Sequence, residues 1–143
     1  MDVIEVRTAT ALDYAAIHGI QQASPEAAQW SAKDYGDYSI LVAEELAEDK
    51  SALAGFCIWR QSTPDEAELL NLAVLPGRRR RGIATALLDV LKRAATGEIF
   101  LEVAESNGPA ISLYEHHGWV RNGLRKNYYG AENVNAIVMR RRA

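Results

Sequence analysis

Leu69-Leu70-Asn71-Leu72-Ala73-Val74-Leu75-Pro76-Gly77-Arg78-Arg79-Arg80-Arg81-Gly82-Ile83-Ala84-Thr85-Ala86-Leu87-Leu88 is the stretch from which the rest of the chain can be read. Its first seven residues are almost wholly apolar, as a strand buried on both faces requires, and Pro76-Gly77 ends it. Beyond the four arginines the spacing turns helical, with Ile83, Leu87 and Leu91 on one stripe widened by Ala84, Leu88 and Ala95. A helix N-terminus carries partial positive charge and unpaired N–H groups, so cations crowded against it are unfavourable unless an anion sits in front of them. Strand, tight turn, glycine and helix also gather backbone N–H groups where a phosphate can accept them, with Gly82 permitting close approach. The stretch therefore predicts a central strand, a phosphate-binding turn and the best-defined helix of the chain. A run of arginines taken alone is equally compatible with a solvated face. Neither G-x-x-x-x-G-K-[ST] nor G-x-G-x-x-G is present, so the two familiar nucleotide loops are excluded.

Working outward toward the N-terminus, the segment 67–75 follows two strand-like runs, 39–43 and 54–59, which flank an acidic turn over 44–50 and predict a hairpin. Ser24-Pro25-Glu26 has the cap, first-turn proline and acid of a second helix running toward Trp30. An alanine-rich helix is predicted over 11–22, and Val3–Thr8 has the branched residues of a strand. Toward the C-terminus, Gly97 closes the central helix and 99–104 reads as a strand. Ser106-Asn107-Gly108-Pro109 caps a helix ending at Gly118, Trp119-Val120 and 134–139 supply the last strands, and Arg140 to Arg142 read as a solvated tail. A strand, helix, strand unit at the centre implies parallel pairing there. The fold class is α/β (α+β): a mixed, mostly antiparallel sheet with a central parallel strand pair and helices on both faces.

With 143 residues, 48% of them hydrophobic, residues 1–143 are long enough for one domain with a real core. The net charge of −3 makes the arginine run a local device, and bulk charge predicts no nucleic-acid partner. Cys57 is the single cysteine, which excludes an internal disulfide and favours a cytoplasmic address. No basic leader with an apolar core and no membrane-length apolar run is present.

Arg79-Arg80-Arg81-Gly82-Ile83-Ala84 resembles the [QR]-x-x-G-x-[GA] pyrophosphate loop of the GNAT acetyltransferase superfamily, whose donor is acetyl-coenzyme A. Leu70 to Val74, Leu101-Glu102-Val103, Ser106-Asn107, Ala110, Leu113-Tyr114-Glu115 and Gly118-Trp119 resemble its RimI branch, which acetylates the N-terminal alanine of a small-subunit ribosomal protein. Trp30-Ser31, Arg125-Lys126-Asn127-Tyr128-Tyr129 and Ala136 to Met139 extend the resemblance over nearly the whole chain. It implies a single N-acetyltransferase domain in which the central parallel strands splay apart. Two positions depart from the pattern: Gly77 stands where an aspartate is common, and Asn135 where the branch usually has an acid. The second bears on the acceptor.

Acetyl transfer from a thioester to an amine needs a deprotonated amine, a polarised carbonyl and a proton for the departing thiolate. Glu102 alternates with Leu101 and Val103 and shares a strand face with Phe100, so a partly desolvated carboxylate is expected there. The residues alone leave a surface glutamate open; the resemblance implies the general base. Tyr114, seven residues after Asn107 and on its helix face, is either a core aromatic or, as the resemblance implies, the general acid. Asn107 resembles the asparagine that contacts the coenzyme, and a plain helix N-cap accounts for it equally simply. Glu68 is the reserve base.

The resemblance places the coenzyme's pyrophosphate on Arg79, Arg81, Gly82, Ile83 and Ala84, with Arg78 and Arg80 adding field and reaching toward its outer phosphate. Its pantetheine arm falls on backbone groups of Leu72, Ala73 and Val74, which would accept an amide-bearing arm as they would a strand. Asn71, polar in an apolar run, is read as a bulge that opens the strand pair. The resemblance implies that Trp30, Ser31, Tyr128 and Tyr129 border the acceptor groove; the tyrosine pair taken alone is equally compatible with edge-strand packing. His116 and His117 have no partners at ligand spacing, so no metal is assigned. The implied partners are acetyl-coenzyme A and a protein N-terminus, with a small-molecule amine as the alternative acceptor. An RNA-binding module without catalysis is the remaining reading; it leaves Glu102 and Tyr114 idle.

Overall fold

The structure, a computed structural model, describes residues 3–25, 27–79, 82–126 and 135–143. Seven strands form one mixed sheet in the order β1-β2-β3-β4-β5-β7-β6, and the chain divides into two compact units. The first comprises Met1–Arg60 and Leu69–Ala94, the second Gln61–Glu68 and Ala95–Ala143. Strands β3 (Lys50–Thr63) and β4 (Glu66–Val74) each contribute to both.

In the first unit, β1 (Val3–Thr8) runs antiparallel to β2 (Ser39–Ala47), from Val3 opposite Leu46 to Thr8 opposite Leu41. The β2–β3 hairpin closes at Ala47 opposite Lys50, so the acidic segment predicted as a turn is mostly strand and only Glu48 and Asp49 turn the chain. The register slips at Ala43/Glu44, and Ala54 is the extra residue on β3. The Ala54 carbonyl accepts from Leu75 N at 2.8 Å, so the end of β4 is fastened to that irregularity.

Strand alternation divides the apolar residues of this unit between two faces. On one face Ile40, Val42, Phe56 and Ile58 pack with Ile17 and Ile20 of α1 (Tyr14–Gln22) and with Tyr35. Leu41, Ala43 and Cys57 alternate onto the other face, all buried. Helix α2 (Ile83–Ala94) crosses β1 and β2. It buries Ile83, Leu87, Leu88 and Leu91, each contributing roughly 1.5–3 kcal/mol on removal from water. Gly55 makes its approach possible: a Cβ there would lie 2.9 Å from the Ala73 carbonyl and 3.1 Å from the Ile83 side chain.

The predicted second helix does not form. Ala27 N bonds back to Ser24 O at 2.9 Å as a turn, and side-chain amides donate to several carbonyls of the segment. Gln29 Nε2 donates to the carbonyls of Gln21, Ser24 and Ala27, and Gln21 Nε2 donates to Trp30 O at 2.7 Å. The helical turns come later, as a 3-10 segment over Ala32–Asp37. Asn71 is a tether: its side-chain amide, buried in β4, donates to Ala28 O at 2.9 Å. An asparagine inside an apolar strand is thus accounted for by a backbone carbonyl it satisfies.

In the second unit, β5 (Glu98–Ala104) and β6 (Val120–Arg125) flank β7 (Ala136–Arg142), both antiparallel to it. Gly97, with φ +76°, starts β5 where a Cβ would run into the Asp65 backbone, and Glu98 N donates to Asp65 O at 2.8 Å. Helix α3 (Gly108–His116) lies between β5 and β6 in sequence and ends before Gly118, whose φ is +95°. Trp119 is the largest side chain buried here; its indole donates to Ile99 O at 3.1 Å. The last arginines belong to β7 and are no loose tail. Arg140 pairs with Glu98 at 2.8 Å, and Arg141 donates to His117 O at 2.6 Å while covering the Trp119 ring.

Candidate functional site

A candidate phosphate-binding turn lies in the first unit, where β4 gives way to α2. Leu75 N points toward β3, so alternation turns the backbone of Ala73 the same way and that of Leu72 and Val74 toward the opposite edge. Of the three residues expected to meet the pantetheine arm, Leu72 and Val74 thus present polar groups away from β3, and Ala73 does not.

Pro76–Arg78 form a single 3-10 turn, with Arg78 N bonded to Leu75 O at 2.8 Å. Arg78 then pairs with Glu45 at 2.8 Å. Arg79 points back to the strand, with Nε donating to Val74 O at 3.1 Å and Nη2 reaching Ser24 Oγ at 3.5 Å. Arg80 and Arg81 lie outside the described residues. Gly82 has φ +81°, a conformation that costs any other residue, and among the described residues none but its chain neighbours stands within 4 Å of where its Cβ would be. Helix α2 follows at once, and the first intrahelical bond runs from Ala86 N to Gly82 O at 2.9 Å. The amides of Ile83 and Ala84 therefore precede the ladder and have no acceptor within the helix. No acidic residue in the first turn offsets the positive helix end. A left-handed glycine followed by amides that have no acceptor within the helix suits a phosphate oxygen.

The proton-handling residues lie in the second unit. Burial along β5 alternates as predicted: Ile99, Leu101 and Val103 are buried, while Glu98, Phe100 and Glu102 occupy the more open face. The Glu102 side chain is 27% exposed, and its two oxygens differ. Oε1 lies 3.3 Å from Arg125 Nη1, whereas Oε2 is buried without a hydrogen-bond partner among the described residues. A buried carboxylate oxygen left unpaired is costly unless something else supplies a proton. Arg125 was legible only as part of a family-like string, because its pairing spans two strands that sequence spacing does not relate.

Tyr114 sits on α3, nearly buried, its ring edge-to-face with Trp119 at 5.7 Å between centroids. Asn107 caps that helix, its Oδ1 accepting from Ala110 N at 3.2 Å. Glu68, the reserve base, accepts from Ser62 Oγ at 3.2 Å. Asn135, the departure from the family pattern, bonds Glu105 twice: its side-chain amide donates to Oε1 at 3.2 Å and its carbonyl accepts from Glu105 N at 2.8 Å.

Of the expected acceptor residues, Trp30 packs against the first unit's core and edge-to-face on Tyr38 at 4.8 Å. Ser31 is exposed at the start of the 3-10 segment, its carbonyl accepting from Asp34 N at 3.0 Å. Tyr128 and Tyr129 lie outside the described residues. Among the described residues, no group of three or more His, Cys, Asp and Glu side chains could hold a metal ion, and no helix is long and apolar enough to cross a membrane.

Comparison with known proteins agrees with this geometry. Residues 7–119 match the model of the acetyltransferase (GNAT) family. The [ribosomal protein bS18]-alanine N-acetyltransferase of Escherichia coli is 40% identical over 93 residues, covering 61% of this chain and 62% of that protein. The N-alpha-acetyltransferase RimI of Mycobacterium tuberculosis is 37% identical over 89 residues, covering 62% and 56%. The matched stretch thus spans less than two thirds of either curated relative. The crystal structure of the ribosomal-protein-S18-alanine N-acetyltransferase from Escherichia coli superposes with a TM-score of 0.79 at 30% identity, over 96% of this chain and 92% of that one. The glycine turn leading into α2, the strand order around it and these matches have one common explanation: the chain belongs to the acetyltransferase (GNAT) family.

Proposed function

We propose that residues 1–143 form one N-acetyltransferase domain that transfers the acetyl group of acetyl-coenzyme A directly to the N-terminal α-amino group of a protein. The bS18 alanine terminus is the acceptor suggested by the relatives. One observation carries the reading: Glu102 keeps a buried carboxylate oxygen that no described residue satisfies. Bound acetyl-coenzyme A supplies the acetyl group as a thioester and leaves as the free thiol.

The chain's own residues do the rest. The amides of Ile83 and Ala84 and the turn at Gly82 hold the pyrophosphate, assisted by Arg80 and Arg81. Leu72 and Val74 receive the pantetheine amides. Arg79 keeps the turn in shape, and Asn107 stays an N-cap that also borders the coenzyme. Glu102 takes a proton from the attacking amine, directly or through one water. An α-amine titrates near ~8, so a carboxylate is a sufficient base. As the new C–N bond forms and the C–S bond breaks, Tyr114 gives its phenolic proton to the sulfur, and solvent exchange returns Glu102 and Tyr114 to their starting states. Trp30, Ser31, Tyr128 and Tyr129 border the acceptor. A cytoplasmic setting accords with the lone cysteine.

Turnover of Glu102→Gln and Tyr114→Phe with acetyl-coenzyme A tests the roles. Each is expected to fall roughly 100-fold or more while coenzyme binding persists. Wild-type turnover in both variants would refute the assignment.

A further inference from the structure

The geometry points to Arg125 as a positioning residue for Glu102: its guanidinium holds one carboxylate oxygen and so fixes the plane of the carboxylate that takes the acceptor's proton. This rests on the reading of Glu102 as the base. Glu102 on β5 stands opposite Val138 of β7, and Val138 in turn stands opposite Gly123 of β6. Two strand spacings separate β5 from β6, on the order of 10 Å, a span only a long side chain crosses.

Gly123 clears the way. It puts no side chain into the row of Glu102 and Val138, and even a Cβ there would touch Val138 only at 3.9 Å. Arg125 lies two residues further along β6, on the same face, and reaches Glu102 at 3.3 Å. The Arg125 side chain is 57% exposed, so the pair contributes at most about 1 kcal/mol to stability. Its consequence is orientational. The terminal torsion of a glutamate is broad, so without a partner the carboxylate plane turns over a wide range. Pairing Oε1 with the guanidinium removes that freedom and leaves the buried Oε2 without a partner among the described residues. The same cation disfavours a second positive charge nearby, which helps an α-ammonium group give up its proton.

Steady-state kinetics with acetyl-coenzyme A and a peptide beginning with the bS18 N-terminal alanine tests this, using Arg125→Ala, Arg125→Lys, Glu102→Gln and the double variant Glu102→Gln/Arg125→Ala. Thermal unfolding of each verifies that it is folded. Loss of orientation should lower kcat of Arg125→Ala by about ten- to a hundredfold with KM for acetyl-coenzyme A unchanged. Arg125→Lys should recover most of the loss, and Arg125→Ala should cost nothing further once Glu102 is Gln. Wild-type kcat in Arg125→Ala, or the same loss in the Glu102→Gln background, would overturn the positioning role while leaving Glu102 as base. Wild-type turnover in Glu102→Gln would remove the base and the positioning role together.

Discussion

Arg79 donates through Nε to the carbonyl of Val74 at 3.1 Å, closing a ring of backbone and side chain around the turn between β4 and α2. The last residue of the strand and the approach to Gly82 are fixed to each other by this bond, and Ser24 Oγ at 3.5 Å adds a weaker hold. An arginine at the head of the loop is thus used to shape it. Arg79→Ala should weaken coenzyme A binding about tenfold, equivalent to about 1.4 kcal/mol, and Arg79→Lys should recover little because an ammonium cannot reproduce the fork. Isothermal titration with coenzyme A measures it; equal affinity in Arg79→Ala would mean that the turn holds its shape without the arginine.

Gly82 is the second determinant of the turn. With φ at +81°, Gly82→Ala is expected to cost about 1–2 kcal/mol of stability from backbone strain alone. Among the described residues beyond its chain neighbours none lies within 4 Å of the added methyl group, so no clash with them adds to this. Coenzyme A affinity should fall more steeply than stability, because the new methyl group enters the space the phosphate needs. Denaturant melts and titration on one protein sample separate the two effects.

Stability at low pH is expected to follow the ion cluster of Arg7, Asp13 and Glu44. Arg7 binds Asp13 through two contacts of 2.8 and 2.9 Å and Glu44 at 2.7 Å, and Thr10 N donates to Asp13 at 2.8 Å. The Arg7 hydrogen bonds hold the Asp13 carboxyl at about 2, against an ordinary 3.8, and lower Glu44 as well. A depressed folded-state pKa contributes stability that is present above the unfolded value and lost as pH falls through the folded one. Arg7→Ala should therefore cost roughly 1–3 kcal/mol at neutral pH, and its disadvantage should shrink as pH falls from near 4 toward 2. A pH series of urea melts would show the convergence. Parallel curves would mean that the cluster does not couple to folding.

Cys57 should be chemically silent in the folded protein. It is fully buried between Phe56 and Ile58 on β3, and burial pushes its thiol well above the ordinary range. A thiol reagent such as DTNB should label it only after unfolding, and Cys57→Ala should retain full turnover. Rapid labelling of the native protein would contradict the burial; loss of turnover in a folded Cys57→Ala variant would contradict direct transfer.

Much of the fold was readable because local signals and tertiary demands agree. The buried run ending at Pro76, the helical stripe from Ile83 to Leu91 and the capped helix after Asn107 all form within a few residues of their predicted places. Failures occur where side chains compete with the backbone. Ser24-Pro25 looks like a helix start, but Gln29, Gln21 and Asn71 take the carbonyls that a helix would have used. Arg140 to Arg142 look like a tail because charge alone carries no register; the strand they form depends on Glu98, Ile99 and Phe100 about forty positions earlier. At the site, alternation sufficed to place Glu102 on the open face of β5. The Arg125 contact, which crosses β7, and the backward turn of Arg79 depend on three-dimensional neighbours and leave no trace in spacing.

The most direct test of the central claim is mass spectrometry of acetylation after incubating the protein with acetyl-coenzyme A, a panel of peptides with free N-termini and a panel of small amines. The account predicts a single acetyl group on the α-amine of peptides that begin with alanine, including the bS18 terminus. Acetylated small amines with unmodified peptides, or no transfer to any acceptor, would contradict it.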